Sequence, residues 1–219
     1  MEKRMDAEER KNKMMDATMQ MVAAKGLDSF SVAQTANFAS INEALVYRDF
    51  GTKENLLHEC YVSVNKEILE NYQNVVERSF YDQETLQKQM YLHWHRYFTC
   101  LVEGGYKTLF YQQYRDSAYQ MHSDKNLPAD PYDIKENFRA ILKRFLKNSE
   151  DVDFVSTYMI DGSVLFAKRV ICHEISNSEE TTAKIWQLLN GGMKGLSIEK
   201  SSECLNSNLN ATSQVNATE

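Results

Sequence analysis

The chain has 219 residues, 42% of them hydrophobic and 26% charged, with a formal net charge of −6 at pH 7. That is the balance of a folded globular protein of one or two domains, and it excludes collagen-like, low-complexity and wholly disordered chains. No apolar run is long enough to span a bilayer. The polar start MEKRMDAEERKNKMMD has no apolar stretch of the secretory kind, so a cytoplasmic location is expected.

Excess acid argues against nucleic acid as the main partner, unless the average hides a basic patch. Residues 1–60 hold 8 Lys+Arg against 10 Asp+Glu, residues 61–200 hold 17 against 19, and the tail 201–219 holds none against 2. No segment is basic overall. With only 2 prolines (Pro128, Pro131) and 8 glycines, the chain lacks the turn residues of an all-β fold, and long helices can run unbroken. Cys60, Cys100, Cys172 and Cys204 are far apart with no CxxC pair, the pattern of free thiols.

In chain order, residues 1–12 are a charge-dense lead-in. Met14, Ala17, Met21 and Ala24 then recur at helical spacing, and Gly26 closes that helix. Ser31-Val-Ala-Gln34 has the form of a capping box and opens a short second helix. Phe38–Asn42 reads as a turn, and Asn42 caps a third short helix, EALVYRDF. Gly51 interrupts it, and Thr52 caps a much longer helix. The second and third helices suit a helix-turn-helix unit. Phe30, Phe38, Val46 and Phe50 are expected in its core.

Further helices are expected over 82–103, 106–122, 134–148, 153–175 and 179–196. The 82–103 helix is apolar on two faces, one with Met90, Trp94, Tyr97 and Leu101, the other with Tyr91, His95, Phe98 and Val102, so it should be surrounded by others. SDKNLPADPYD is a loop, and the polar tail 201–219 is expected to be disordered.

Residues 14–57 resemble the N-terminal domain of the TetR family of transcriptional regulators. The likeness rests on Met15-Asp16-Ala17, Ala24-Lys25-Gly26, Ser31-Val32, Ala36 with Ala39, Val46-Tyr47-Arg48-Asp49-Phe50, and Thr52-Lys53-Glu54-Asn55-Leu56-Leu57, in that order and spacing. The resemblance implies an all-α protein of about nine helices. An N-terminal three-helix helix-turn-helix domain (1–52) binds DNA, and a C-terminal helical domain (53–200) binds a small-molecule effector and forms a homodimer. It also implies a repressor that meets a palindromic double-stranded operator. Ser31, Asn42, Glu43, Ala44, Leu45, Tyr47, Arg48 and Lys53 are its DNA-binding candidates, with Tyr47 and Lys53 at the family's phosphate-contacting positions.

The chain departs from the family pattern at several places. Ser40 stands where the family usually has glycine. Glu43, Ala44 and Leu45 stand where it often has Lys, Gly and Thr, and Asp49 where it often has His or Tyr. These changes remove phosphate-contacting groups and put two carboxylates on or near the helix that meets a polyanion, where affinity rests largely on phosphate neutralisation. Two accounts follow. Glu43 accepts from cytosine N4, while Arg48, Lys53 and the lead-in cations Arg4, Arg10, Lys11 and Lys13 hold phosphates. Alternatively, this is a TetR-fold interaction protein that has weakened or lost its operator and acts through a protein partner.

Nine aromatics fall within residues 91–119. Pockets are mostly apolar with a few placed polar groups, so Trp94, His95, Phe98, Phe110, Tyr114 and Phe138 are candidate pocket-lining residues for a hydrophobic or aromatic effector. Taken singly, each reads first as plain core. Stripes at Val155, Met159, Gly162, Phe166 and Val170, and at Ile185, Leu188, Gly192 and Leu196, mark a candidate dimer interface of the two-fold kind. His93 and His95 are two apart and point to different sides of a helix, so no metal site is expected. No catalytic motif occurs, and neither an enzyme nor a cofactor is expected.

Overall fold

The computed structural model describes residues 5–76, 85–120, 132–193 and 195–196. The described residues hold nine α-helices: α1 (Ala7–Lys25), α2 (Val32–Phe38), α3 (Glu43–Phe50), α4 (Lys53–Val76), α5 (Leu86–Glu103), α6 (Tyr106–Arg115), α7 (Lys135–Phe145), α8 (Asp151–Ile171) and α9 (Glu179–Met193). The all-α architecture expected from the sequence is what the chain adopts. No helix of the described residues is long and apolar enough to cross a membrane.

The helices α2, α3 and α4 begin where the sequence places their caps, whereas α1 begins well before the expected Met14. Asp6 accepts from the Glu9 amide at 2.8 Å, so α1 starts seven residues before Met14, with Glu8 and Glu9 at its positive end. Ser31 Oγ accepts from Gln34 N at 3.4 Å, and Asn42 Oδ1 accepts from Ala44 N at 2.9 Å. Thr52 Oγ1 accepts from Asn55 N at 3.1 Å. Gly26 and Gly51 end their helices at φ +87° and +77°, where a side chain is strained.

Other boundaries differ from expectation. The sixth helix stops at Arg115 rather than 122, with a bend at Asp116–Ser117 and helix again at 118–120. There Ser117 Oγ donates back to the Tyr114 carbonyl at 2.6 Å. The helix α8 ends at Ile171, four residues early, because Cys172 and His173 turn the chain and His173 takes φ +58°. Residues 82–84 of the expected fifth helix, most of the SDKNLPADPYD loop and the tail lie outside the described residues.

A continuous apolar core runs from Met14 on α1 to Met193 on α9. Its centre is α5, whose Met90, Trp94, Tyr97 and Leu101 are fully buried. The helix α1 packs on α2, α4 and, most extensively, α6, while α8 packs on α5, α6, α7 and α9. Thus α6 touches both the N-terminal helices and the C-terminal layer. Its Gln113 side chain accepts from Leu27 N at 2.9 Å and donates to Val22 O at 3.1 Å, holding the end of α1. Tyr106 donates to Asp16 on the same helix.

Candidate nucleic-acid interface

The helix-turn-helix is built by local constraints. Thr35 and Ala36 of α2 are buried, and Ile41 N donates to Ala36 O at 2.8 Å across the turn. Ser40 adopts φ +55° in that turn, the left-handed conformation that glycine takes without strain. The departure at this position is therefore accommodated by backbone strain and leaves the turn intact.

On α3, Val46 and Phe50 face inward, as expected, and Asn42, Glu43, Ala44, Tyr47 and Arg48 face out, with Tyr47 46% exposed. Leu45 is half-buried against the core. Phe30 is buried. Phe38 was expected in the core and is exposed instead, because Val32, Thr35 and Ala36 already supply the buried side of a helix only seven residues long.

Asp49 corrects the sequence reading most. It does not face outward. Arg10 Nε and NH2 donate to its two carboxylate oxygens at 2.6 and 3.0 Å, with side-chain exposures of 10% for Arg10 and 9% for Asp49. This is a bidentate pair between α1 and α3, the strong geometry for guanidinium and carboxylate. The Arg10 hydrogen bond holds the Asp49 carboxyl below its ordinary range despite the cost of burial.

The same pair removes Arg10 from the cations available to phosphates. Lys11 is also engaged, with Glu59 at 3.1 Å and over the Phe50 ring at 5.0 Å. Lys13 is exposed, and Arg4 lies outside the described residues. Lys53 donates to Phe30 O at 3.1 Å and lies over the Phe30 and Tyr119 rings at 5.3 and 5.5 Å. Ser31 is half-buried as a cap. Arg48 is the one cation on α2 and α3, and it leans on Asp49 at 3.3 Å.

Residues 14–60 match the family described as bacterial regulatory proteins, tetR family. The chain therefore carries a tetR-type N-terminal domain over those residues. Its fold is shared with a protein from Shewanella sp. PV-4 described as a tetR family transcription regulator, at TM-score 0.67 and 17% identity over 86% of this chain and 98% of that one. A TetR-like transcriptional regulator from Rhodococcus sp. RHA1 aligns at TM-score 0.64 and 16% identity, over 88% and 100%. The fatty acid degradation regulator FadR of Bacillus halodurans aligns at TM-score 0.64 and 13% identity, over 84% and 96%. No curated protein matches the chain.

In the C-terminal part of the chain, the six candidate pocket residues do not gather round one space. Trp94 stacks on Phe98 and meets Trp186, each at 5.2 Å between ring centroids, with His95 half-buried beside them. Phe110 and Tyr114 stack on each other at 6.0 Å in a second group with Tyr61. Phe138 meets the edge of Tyr97 at 5.2 Å. Apart from His95, all are buried. Among the described residues, no three His, Cys, Asp or Glu side chains come together as metal ligands.

Most residues of the expected dimer stripe pack inside the chain's own fold. Val155, Met159, Val170 and Ile185 face the protomer's own core, and Phe166 and Leu196 are half-buried against it. Gly162 admits Leu189 of α9, whose Cδ2 lies 2.6 Å from where a Cβ would stand. Gly192 likewise admits the Tyr158 hydroxyl, at 2.7 Å. Both glycines therefore serve close packing within the protomer. The outward apolar side chains are Phe154, Tyr158 and Leu165 on α8 and Leu188 on α9. An open groove of about 740 Å³ runs along α8 between Asp153, Phe154, Tyr158, Asp161, Gly162 and Leu165. Phe154, Tyr158 and Leu165 form a second stripe beside the one read from the sequence, to which the outward Leu188 already belongs, and choosing between the two needs the packing partners.

Proposed function

We propose that this chain is a regulator of the TetR family, a homodimeric repressor that binds a palindromic operator through α3 and is released by a small, largely apolar effector. Residues 1–52 carry the DNA contacts, and residues 53–200 take the effector and dimerise. The observation that supports the operator reading most is the withdrawal of Asp49 into its pair with Arg10. The outer face of α3 is then Asn42, Glu43, Ala44, Tyr47 and Arg48, with one carboxylate able to accept from a cytosine amino group, Tyr47 exposed to phosphates, and Arg48 reaching them by giving up its contact with Asp49. Ser31 and the α2 amides are a further phosphate contact, and Leu45 supports the helix from beneath. Lys53, tied to Phe30 O, braces the start of α4 and reaches DNA only by leaving that position.

The second copy covers Phe154, Tyr158, Leu165 and Leu188, since an outward apolar face on the last two helices is what an isologous contact buries. Effector binding shifts the dimer towards a state whose two α3 helices no longer match major grooves ~34 Å apart.

Selection of genomic fragments on the purified chain tests the operator. Enrichment of one palindromic site, lost in Tyr47→Ala/Arg48→Ala and kept in Lys53→Ala, is the expected result. No enriched site would favour the second reading, a TetR-fold interaction protein, which the single cation of α2 and α3 supports. For the dimer, Phe154→Asp/Leu188→Asp should give a folded monomer by sedimentation, whereas Val155→Ala should lose stability and stay dimeric.

A further inference from the structure

The lysine at the head of α4 is held by two distant parts of the chain. Lys53 Nζ donates to Phe30 O at 3.1 Å and lies over the Phe30 and Tyr119 rings at 5.3 and 5.5 Å. Phe30 is buried in the connection between α1 and α2. Tyr119 belongs to the helical stretch 118–120 beyond the bend at Asp116–Ser117, and packs half-buried against the core. Just before that bend, Gln113 accepts from Leu27 N and donates to Val22 O, which fastens the end of α6 to the same connection. The ammonium is thus enclosed between the α1–α2 connection and the segment that follows α6.

Charge sets Lys53 apart from the other engaged cations of this region. Arg10 and Arg48 meet Asp49, and Lys11 meets Glu59. Among the described residues Lys53 has no carboxylate partner, and its neighbours are a carbonyl and two ring faces. Such neighbours hold an ammonium without cancelling its charge, so its attraction for an anion survives. As the first residue of α4, Lys53 also stands at the positive end of its helix, where a cation is disfavoured. A ring face retains a partly exposed cation by a factor of about two to five, and the bond from a charged donor to the Phe30 carbonyl adds to that. Both are given up when Lys53 turns to a phosphate.

We propose that Tyr119 is a positioning residue for DNA binding: its ring withholds the Lys53 ammonium from phosphates and so limits affinity for duplex of any sequence. This rests on the operator reading above, in which Lys53 reaches DNA only by leaving Phe30 O. The segment after α6 thereby sets how many phosphates the helix-turn-helix engages.

Two measurements on the full-length protein test this. The first is anisotropy titration of a short duplex of arbitrary sequence over a series of salt concentrations. Tyr119→Leu, which keeps apolar packing and removes the ring, should bind about two- to fivefold more tightly. Its slope of log affinity against log salt should steepen towards one further phosphate contact, about 0.9. Tyr119→Phe, which keeps the ring, should match the wild type. Lys53→Ala should also match it, and should abolish the gain when combined with Tyr119→Leu. The second is acetylation by N-hydroxysuccinimidyl acetate, read by mass spectrometry against the exposed Lys13. Lys53 should react several-fold faster in Tyr119→Leu than in the wild type or Tyr119→Phe. A gain of affinity and of reactivity together is not what structural damage produces.

A slope shallower by about 0.9 in Lys53→Ala alone overturns the proposal, because Lys53 would already be on a phosphate, and that result needs no Tyr119 variant to fold. Unchanged reactivity of Lys53 in Tyr119→Leu, or a gain in affinity that persists without Lys53, overturns it as well. Any of these in a protein that still selects its operator leaves the operator reading standing. Binding of no duplex by any variant counts against that reading and takes the proposal with it, even where acetylation shows the lysine enclosed.

Discussion

The α1–α3 unit and the body centred on α5 are specified at different range. In the first, each helix start is set by a side chain two or three residues away: Asp6, Ser31 and Asn42 each accept an amide of their own helix. In the second, the decisive contacts span dozens of positions, as where Trp94 Nε1 donates to Ser163 Oγ at 3.0 Å. Helices as short as α2 and α3 need such caps because they cannot bury enough surface to hold themselves, whereas the body's long helices draw their stability from packing. Damage to the unit should therefore be small and additive, and damage to the body large and cooperative.

The sharpest break of that comparison is Trp94→Ala. It empties the most central large side chain and takes from the Ser163 hydroxyl its indole donor, and should cost about 3–5 kcal/mol in urea unfolding. A loss under about 1 kcal/mol would show the body to be no more tightly specified than the unit. Next is His93, buried on α5 with the Tyr72 hydroxyl against its Nδ1. Burial, then Arg144, lowers its pKa to about 4. The unfolded ring takes up its proton near pH 6.5 while the folded one does not, so stability is complete above that pH and falls between about pH 6.5 and 4, by roughly 3 kcal/mol at most. His93→Gln should flatten that part of the stability–pH curve.

Within the unit, Arg10→Ala should lower the melting temperature more than Arg10→Ala/Asp49→Ala, since the single change leaves a carboxylate enclosed without its partner. Equal losses would mean the pair contributes only packing. The smallest effect is a gain: Ser40→Gly, at φ +55°, should stabilise by ~1 kcal/mol.

Capping and turn residues made the helix-turn-helix legible to within a residue or two, because the signal and the structure it controls lie in one stretch. The same stretch misled where an outcome depended on a distant partner. Asp49 reads as an outward acid on α3 until Arg10, thirty-nine positions earlier, is placed beside it. Phe38 reads as core until Val32, Thr35 and Ala36 are seen to fill that side. On α8, Val155/Met159 and Phe154/Tyr158 are two adjacent stripes with the same period, and only the positions of α5 and α9 decide which is inside. The aromatic richness of 91–119 was plain. That these rings divide into separate stacks was not, since ring partners such as Tyr61 and Trp186 lie outside that stretch.

The sparse positive charge around α3 bears on how the protein finds its site. Binding to arbitrary DNA comes almost wholly from phosphate neutralisation, each contact adding about 0.9 to the slope of log affinity against log salt. With Arg10, Lys11 and Lys53 engaged inside the fold and Arg48 the one cation on α2 and α3, the proposed operator reading carries a shallow slope and a weak hold on random sequence. On that reading little of the protein would be sequestered along the chromosome, and the free concentration that an operator meets would stay near the total.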